Sequence, residues 1–533
     1  MKYIKSFAAS MVLASAMLAT SCDPSDFGDI NETPNSPTKS FTYMMFKDAA
    51  MYTRNFIMTS SSFDPWPAEW SGYLSEAKND QYGGLDATST YSASTYYTRV
   101  IRGLNSIIEA NNDPAQNTTT AVTAFGSNNN QIGVCMTLRS YFFMNITDIL
   151  GPIVYTQAYQ VYGDNPIWEP AYDTQKEVYA ALDKDLCDAY AMMDEKGSLS
   201  SSHDIFFHGD VSKWKKLNAS IRMMLAIKLA DVAPAEGKAR FAKAYADGAM
   251  TDAADSFTYT FTTNATSWFY SIGCKDAASQ NVYFAPNKVL VDALKEYQDP
   301  RLFTYATVGV SRYAYLGSVA GATDEYDFNA YKGIPSGLSG NSTVGRAKVG
   351  ACSTAPKYCE PQATYGLITA ARTLLCEAEA ATLGWIDPSK ASELYEAGIK
   401  ASFDFEAKSD GAWGGKFKAA DYIAAHPLPQ DKDAALKEIA MQRFLAGFLT
   451  DGIQAWADWR RCNVPTMPIY DKPASLGHYT YPNRLAFGSS DYSTNGDNLE
   501  VALKDLSNGV DDPWSRVWWD VADNECPVIK WTE

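Results

Sequence analysis

Apolar residues recur at every fourth position in two distant stretches, Val178, Leu182, Leu186 and Tyr190, then Ala391, Tyr395, Ile399 and Phe403. That spacing puts each set on one face of a helix, because side chains four apart stack above one another. Both stretches share a grammar of Pro or Asp near the start, a Tyr one turn in, then aliphatic and Ala positions. Units of this kind cannot bury their apolar face alone and must stack on neighbours. The expected fold is therefore mainly α, a tetratricopeptide-like helical repeat scaffold, although no strict period of about 34 residues is present. Further helices are expected at 42–60, 95–111, 131–148, 211–232, 286–297, 366–384 and 434–460.

Between these helices lie long stretches rich in aromatic, Gly, Ser and Asn residues, at 61–94, 250–285, 302–360 and 462–515. Connections this long in a folded chain usually carry function, so the scaffold is expected to bear a second, loop-built, aromatic-rich face. One globular domain should span 41–533, with loop insertions near 61–94, 250–360 and 462–515.

The N-terminus reads as an export signal. Lys2 and Lys5 precede an apolar run from Phe7 to Leu18, too short to span a bilayer, which takes ~20 residues. Ala19, Thr20, Ser21 and Cys22 form a small-residue box ending in cysteine, so residues 1–21 are expected to be removed and Cys22 to carry lipid. Residues 22–40, rich in Pro, Asn, Asp and Ser, then make a tether. Two or more acyl chains hold a protein on a membrane without any spanning helix.

The formal net charge of −17 argues against nucleic acid and anionic lipid as partners and favours neutral or cationic ligands. Eight cysteines follow Cys22 at wide spacing with no C-x-x-C pair, which points to buried thiols; Cys352 and Cys359 are near enough in sequence to form a local bridge. The four histidines lack metal-ligand spacing, and neither a metal nor a cofactor is expected. No nucleophile elbow or phosphate loop occurs: Asn341 stands where Gly337-Leu338-Ser339-Gly340 would need a final glycine, and Asp410 and Phe417 flank Gly415-Lys416. Paired carboxylates for glycoside hydrolysis are a matter of spatial separation that sequence does not give. No catalytic residue is assigned.

Seven stretches in order carry a family likeness: GDINETPNSPT (28–38), NITDILGPIVYTQA (145–158), HGDVSKWKKLNASIRMMLAIKLAD (208–231), DPRL (299–302), CEAEAATLGW (376–385), IQAWADWRRCNVP (453–465) and YPNRLAFGSSDYSTN (481–495). In them the chain resembles the SusD/RagB family of outer-membrane nutrient-binding lipoproteins, in its SusD-like branch. It departs from the pattern at Gln454, where a Glu is usual, and at Gly488 and Asp491, where Pro and Glu are typical. The resemblance implies a non-enzymatic, cell-surface lipoprotein that binds oligosaccharide, or in some relatives peptide, and passes it to a TonB-dependent, SusC-like barrel transporter. A glycoside hydrolase and a purely structural surface lipoprotein are the alternatives of other classes.

Sugars expose C–H faces ringed by hydroxyls, so a flat aromatic covers the face while polar neighbours bond the rim. On that chemistry the candidate ligand residues are Trp66, Trp70 and Tyr82 in the early loop, Trp268 and Tyr270 in TSWFYS, and Tyr313 and Tyr315 further on. Tyr91, Tyr96, Tyr97, Tyr326 and Tyr331 belong to the same aromatic stretches, whereas Trp456, Trp459, Trp518 and Trp519 are expected in the core. Arg460 and Arg461 are expected to pair with carboxylates or helix-end carbonyls.

Overall fold

The computed structural model describes residues 40–56, 66–76, 90–160, 165–263, 284–308, 326–336, 352–407, 412–450, 452–470, 480–524 and 526–529. The longer helices are α1 (Thr42–Met51), α2 (Arg102–Asn112), α3 (Asn128–Leu150), α4 (Gln175–Met192), α5 (Val211–Ile227) and α6 (Pro234–Asp247). They continue with α7 (Lys288–Glu296), α8 (Ala370–Thr382), α9 (Ala391–Ala407), α10 (Lys432–Leu445), α11 (Gly452–Cys462) and α12 (Ser489–Ala502). The mainly helical architecture is as the periodicity implies: α3 packs on α4, α5 on α6 and α8 on α9, with α8 also against α5 and α10. Residues from Thr42 onward form one compact unit.

Local chemistry explains several helix starts. Thr174 and Glu177 form a reciprocal capping box at α4, Asp210 caps α5, Asn287 caps α7 and Asp431 caps α10, each side chain accepting from first-turn N–H groups that would otherwise lack a partner. Pro234 opens α6, where its missing N–H costs nothing. The expected continuous helix at 434–460 is two, because Leu449 adopts a left-handed φ of 50° between α10 and α11. Gly447 occupies the break, where any β-carbon would collide with the Tyr73 hydroxyl. The stretch 462–515, expected as loop, contains α12.

Strands are short and paired in twos. Phe257–Thr260 runs antiparallel to Thr364–Ile368, and Leu74–Glu76 antiparallel to Phe284–Pro286. Thr90–Tyr91 lies parallel to Ala486–Phe487, tying the early chain to the segment before α12.

The core holds buried charge as well as apolar side chains. Asp148, on the fully buried face of α3, accepts from Lys228, from Tyr179 OH at 2.5 Å, from Gln454 Nε2 at 3.0 Å and from Trp519 Nε1 at 3.1 Å. Gln454 also donates to Asn145 Oδ1 at 3.0 Å; a Glu here could not donate and would set a second carboxylate against Asp148. The DPRL stretch is a buried pair: Arg301 clasps Asp299, donates to Ser402 Oγ at 2.8 Å and lies over the Phe403 ring. Arg461 and Arg443 both reach Glu379, each at 2.7 Å, as expected for Arg461. Arg460 takes the carbonyls of Asn483 and Asp148 and stacks between Trp456 and Trp519. Cys359 is disulfide-bonded, but Cys352 is a free buried thiol, so the local bridge between them does not form.

Candidate ligand-binding site

A pocket of about 300 Å³ lies where four segments meet. They are the π-helical turn Tyr96–Ile101, the end of α3 with the chain that follows it, the loop through Trp168, and Phe487 with α12. Its volume sits at the lower end for small-molecule sites, and most of its wall is apolar or aromatic: Leu150, Ile153, Tyr97, Tyr172, Trp168 and Phe487. Polar atoms come from Gln157, Asp491, Thr494 and Asn495 among others.

Each wall is held firmly. α3 ends at Gly151, whose φ of 88° is one that side-chain-bearing residues avoid, and this turns the chain into the pocket wall. Ile153 and Asp173 then exchange backbone hydrogen bonds, and the Asp173 carboxylate accepts from the N–H groups of Tyr155 and Thr156, both at 2.9 Å. Tyr97 donates to Val154 O at 2.6 Å. Behind Phe487, the buried Arg484 pairs with Asp511, which also accepts from the Phe487 N–H at 3.0 Å.

Trp168 is the most open large hydrophobic side chain among the described residues, 74% exposed. The loop carrying it is nonetheless pinned from α12: Asn495 Nδ2 donates to Pro170 O at 2.7 Å and Asn498 Nδ2 to Glu169 O at 2.9 Å. α12 kinks at Asn495 (φ −153°, ψ 38°), and this same residue makes the contact to Pro170. A rigidly presented indole beside an apolar pocket with a polar rim can stack on a ring and bond its edges.

Asp491 lines the pocket with its Oδ2 closed off from solvent and the side chains of Tyr172 and Ser490 beside its carboxyl. Burial pushes its carboxyl above the usual range despite bonds to nearby backbone N–H groups, and Asp511 adds to the rise. Tyr172 is also pushed up, by burial first and then by the neighbouring Asp491 charge.

The expected aromatic residues divide. Trp66 and Trp70 are 4% and 1% exposed, in a short helix (Trp66–Trp70) packed on α11. Their rings cluster with Trp456 at centroid separations of 5.4 and 5.5 Å. Their burial corrects their assignment as ligand residues of an open loop: burying two such large rings against α11 is worth more than leaving them exposed. Tyr91, Tyr96 and Tyr331 are buried too, while Tyr97 reaches the pocket. Cys22, Tyr82, Trp268, Tyr270, Tyr313 and Tyr315 lie outside the described residues. Trp456, Trp459 and Trp519 are buried as expected.

Sequence reasoning missed Trp168 and the pocket. The available signal was an indole between Pro166 and Pro170 in a stretch without periodicity. Two of the family-like stretches, 145–158 and 481–495, both line this pocket, a juxtaposition that sequence order does not reveal.

Helical pairs that carry a loop-built pocket define a ligand-binding scaffold, and comparison with known proteins places it. Residues 34–488 match the SusD-like family model described as starch-binding and associating with the outer membrane, and the chain belongs to the SusD/RagB family. Solved structures share the fold. A SusD homologue from Bacteroides fragilis is 22% identical (TM-score 0.72, 89% of this chain and 99% of that one). A chitin-binding SusD homologue from Flavobacterium johnsoniae is 23% identical (TM-score 0.67, 90% and 99%). A SusD homologue from Bacteroides uniformis is 18% identical (TM-score 0.71, 90% and 99%). No curated protein sequence matches the chain. The family is one of outer-membrane-associated nutrient- and glycan-binding proteins, and among the described residues no helix is long and apolar enough to cross a membrane and no acidic, His or Cys cluster could hold a metal ion.

Proposed function

We propose that this protein is a cell-surface lipoprotein, anchored through Cys22, that binds oligosaccharide without catalysis and delivers it to a partner TonB-dependent, SusC-like outer-membrane transporter. The observation that carries the binding step is Trp168: an indole 74% exposed, yet fixed by Asn495 and Asn498 beside an aromatic-walled pocket. Exposing so large an apolar surface on a pinned loop is a cost that a stacking ligand would offset. The family's starch-binding description and the chitin-binding relative from Flavobacterium johnsoniae support a glycan as ligand. The disulfide at Cys359 suits an exported chain. On this reading Tyr82, Trp268, Tyr270, Tyr313 and Tyr315 supply further stacking faces for a longer chain.

Isothermal titration against malto- and chito-oligosaccharides tests the proposal. Binding by the wild type that Trp168→Ala weakens at least tenfold, with the melting temperature unchanged, is the expected result. A panel that stays silent, or binding indifferent to Trp168→Ala, overturns this site.

A further inference from the structure

The open wall of the pocket is apolar: Trp168 is exposed, and Val154, Ala158, Ile167, Pro170 and Tyr172 line it half-buried. Four polar side chains of the lining commit their donors inside the protein. Tyr97 OH donates to Val154 O at 2.6 Å, Thr98 Oγ1 to Ser94 O at 2.7 Å, Thr494 Oγ1 to Ser490 O at 2.8 Å and Asn495 Nδ2 to Pro170 O at 2.7 Å. The three hydroxyl oxygens keep lone pairs for a donor brought by a ligand. Gln157 is held the other way round: its Oε1 accepts from the Ala171 N–H at 2.8 Å, which leaves its Nε2 as a donor. Resting on the binding role proposed above, we propose that this pocket takes the acetamido group of an N-acetylated sugar, so that the ligands are glycans built with N-acetylhexosamine rather than plain hexose.

A plain hexose carries a hydroxyl on nearly every ring carbon, and each one set against this wall loses water without gaining a partner. An acetamido group complements the lining better. Its methyl covers the apolar side chains, its N–H is a donor for the hydroxyl oxygens, and its carbonyl accepts what Gln157 Nε2 offers. The volume of about 300 Å³ suits one substituted ring, which leaves the rest of a chain to the surface around Trp168. The lining contains no Lys, Arg or His, so an anionic substituent in place of the acetamide finds no counter-charge there.

The test is titration of the mature protein with tetra-N-acetylchitotetraose and, in parallel, with cellotetraose, which has the same length and linkage and is also uncharged but bears a hydroxyl where the first bears the acetamide. Wild type, Trp168→Ala, Ile167→Asn and Val154→Thr are compared, with melting temperatures recorded for each. The wild type should bind the acetylated chain about tenfold or more tightly than cellotetraose. Ile167→Asn, which sets an amide into the apolar wall, should weaken the acetylated ligand about fivefold or more and narrow the gap between the two. Val154→Thr, which keeps the shape and adds a hydroxyl, should act in the same direction, and it guards against a folding fault in the first variant. Equal affinity for the two chains, or tighter binding of cellotetraose, overturns the inference; where Trp168→Ala still abolishes that binding, the site itself stands. A preference for the acetylated chain that survives undiminished in both wall variants also overturns it. No binding of either probe by the wild type overturns the site and this inference together.

Discussion

Asp520 should make the stability of this fold depend on pH. Its carboxyl is 3% exposed and neither oxygen has a hydrogen-bond partner. Arg460 is the charge that most favours ionisation, but its guanidinium is occupied by the Asn483 and Asp148 carbonyls and by two indoles. Burial therefore dominates and pushes the carboxyl from an ordinary 3.8 up to about 7. The folded state holds this proton between about pH 4 and about pH 7, a range in which the unfolded chain has already released it. Stability from this group is thus full in acid and lost as pH rises through the folded value. Three units at about 1.4 kcal/mol each give a loss on the order of 4 kcal/mol by pH 8. Asp520→Asn resembles the protonated acid and should escape that loss. Thermal melts followed by circular dichroism at pH 4.5 and pH 8 measure it. The variant should melt well above the wild type at pH 8, and the gap should nearly close at pH 4.5. A gap of equal size at both pH values, or a variant less stable at pH 8, would refute the reasoning that Asp520 is buried without compensation.

Two further substitutions probe the core, and both are read by chemical denaturation. Trp70→Ala removes an indole packed against Trp66 and Trp456 and should cost about 3–5 kcal/mol; a stable variant with weakened glycan binding would instead return this tryptophan to the ligand site. Asp299→Ala strands the fully buried Arg301 and should cost about 3–5 kcal/mol; a cost near zero would mean that Ser402 and Gln442 hold the guanidinium unaided.

The helices were legible because their evidence is local. The four-residue recurrence at Val178, Leu182 and Leu186, and at Tyr395, Ile399 and Phe403, marks faces that the structure buries. The boundary between α10 and α11 was not, because it depends on Tyr73 lying some 370 residues earlier and pressing on Gly447. α12 escaped detection because its sequence, SSDYSTNGDNLEVA, is polar around most of its circumference, with Leu499 and Ala502 its buried residues. The site failed for a related reason. A proline-flanked Trp66 and a proline-flanked Trp168 look alike on paper, and only long-range packing decides that the first is buried and the second is not. The charged hub around Asp148 was likewise visible only in part, through the family-like stretches that carry Asp148, Lys228 and Gln454.

The clamp from α12 to the Trp168 loop joins residues more than 320 positions apart, with Asn495 on Pro170 and Asn498 on Glu169. A chain synthesised from its N-terminus therefore displays the indole long before it owns the two amides that fix it. Until the last tenth of the polypeptide has folded, the Trp168 loop is held by local bonds, Ile167 N–H to Gln160 O and Ala171 N–H to Gln157 Oε1, without the long-range clamp. On the proposed binding role, ligand grip would then depend on the completion of α12. The same arrangement couples any displacement of α12, which carries the exposed Tyr492 and Val501, to the loop that presents Trp168.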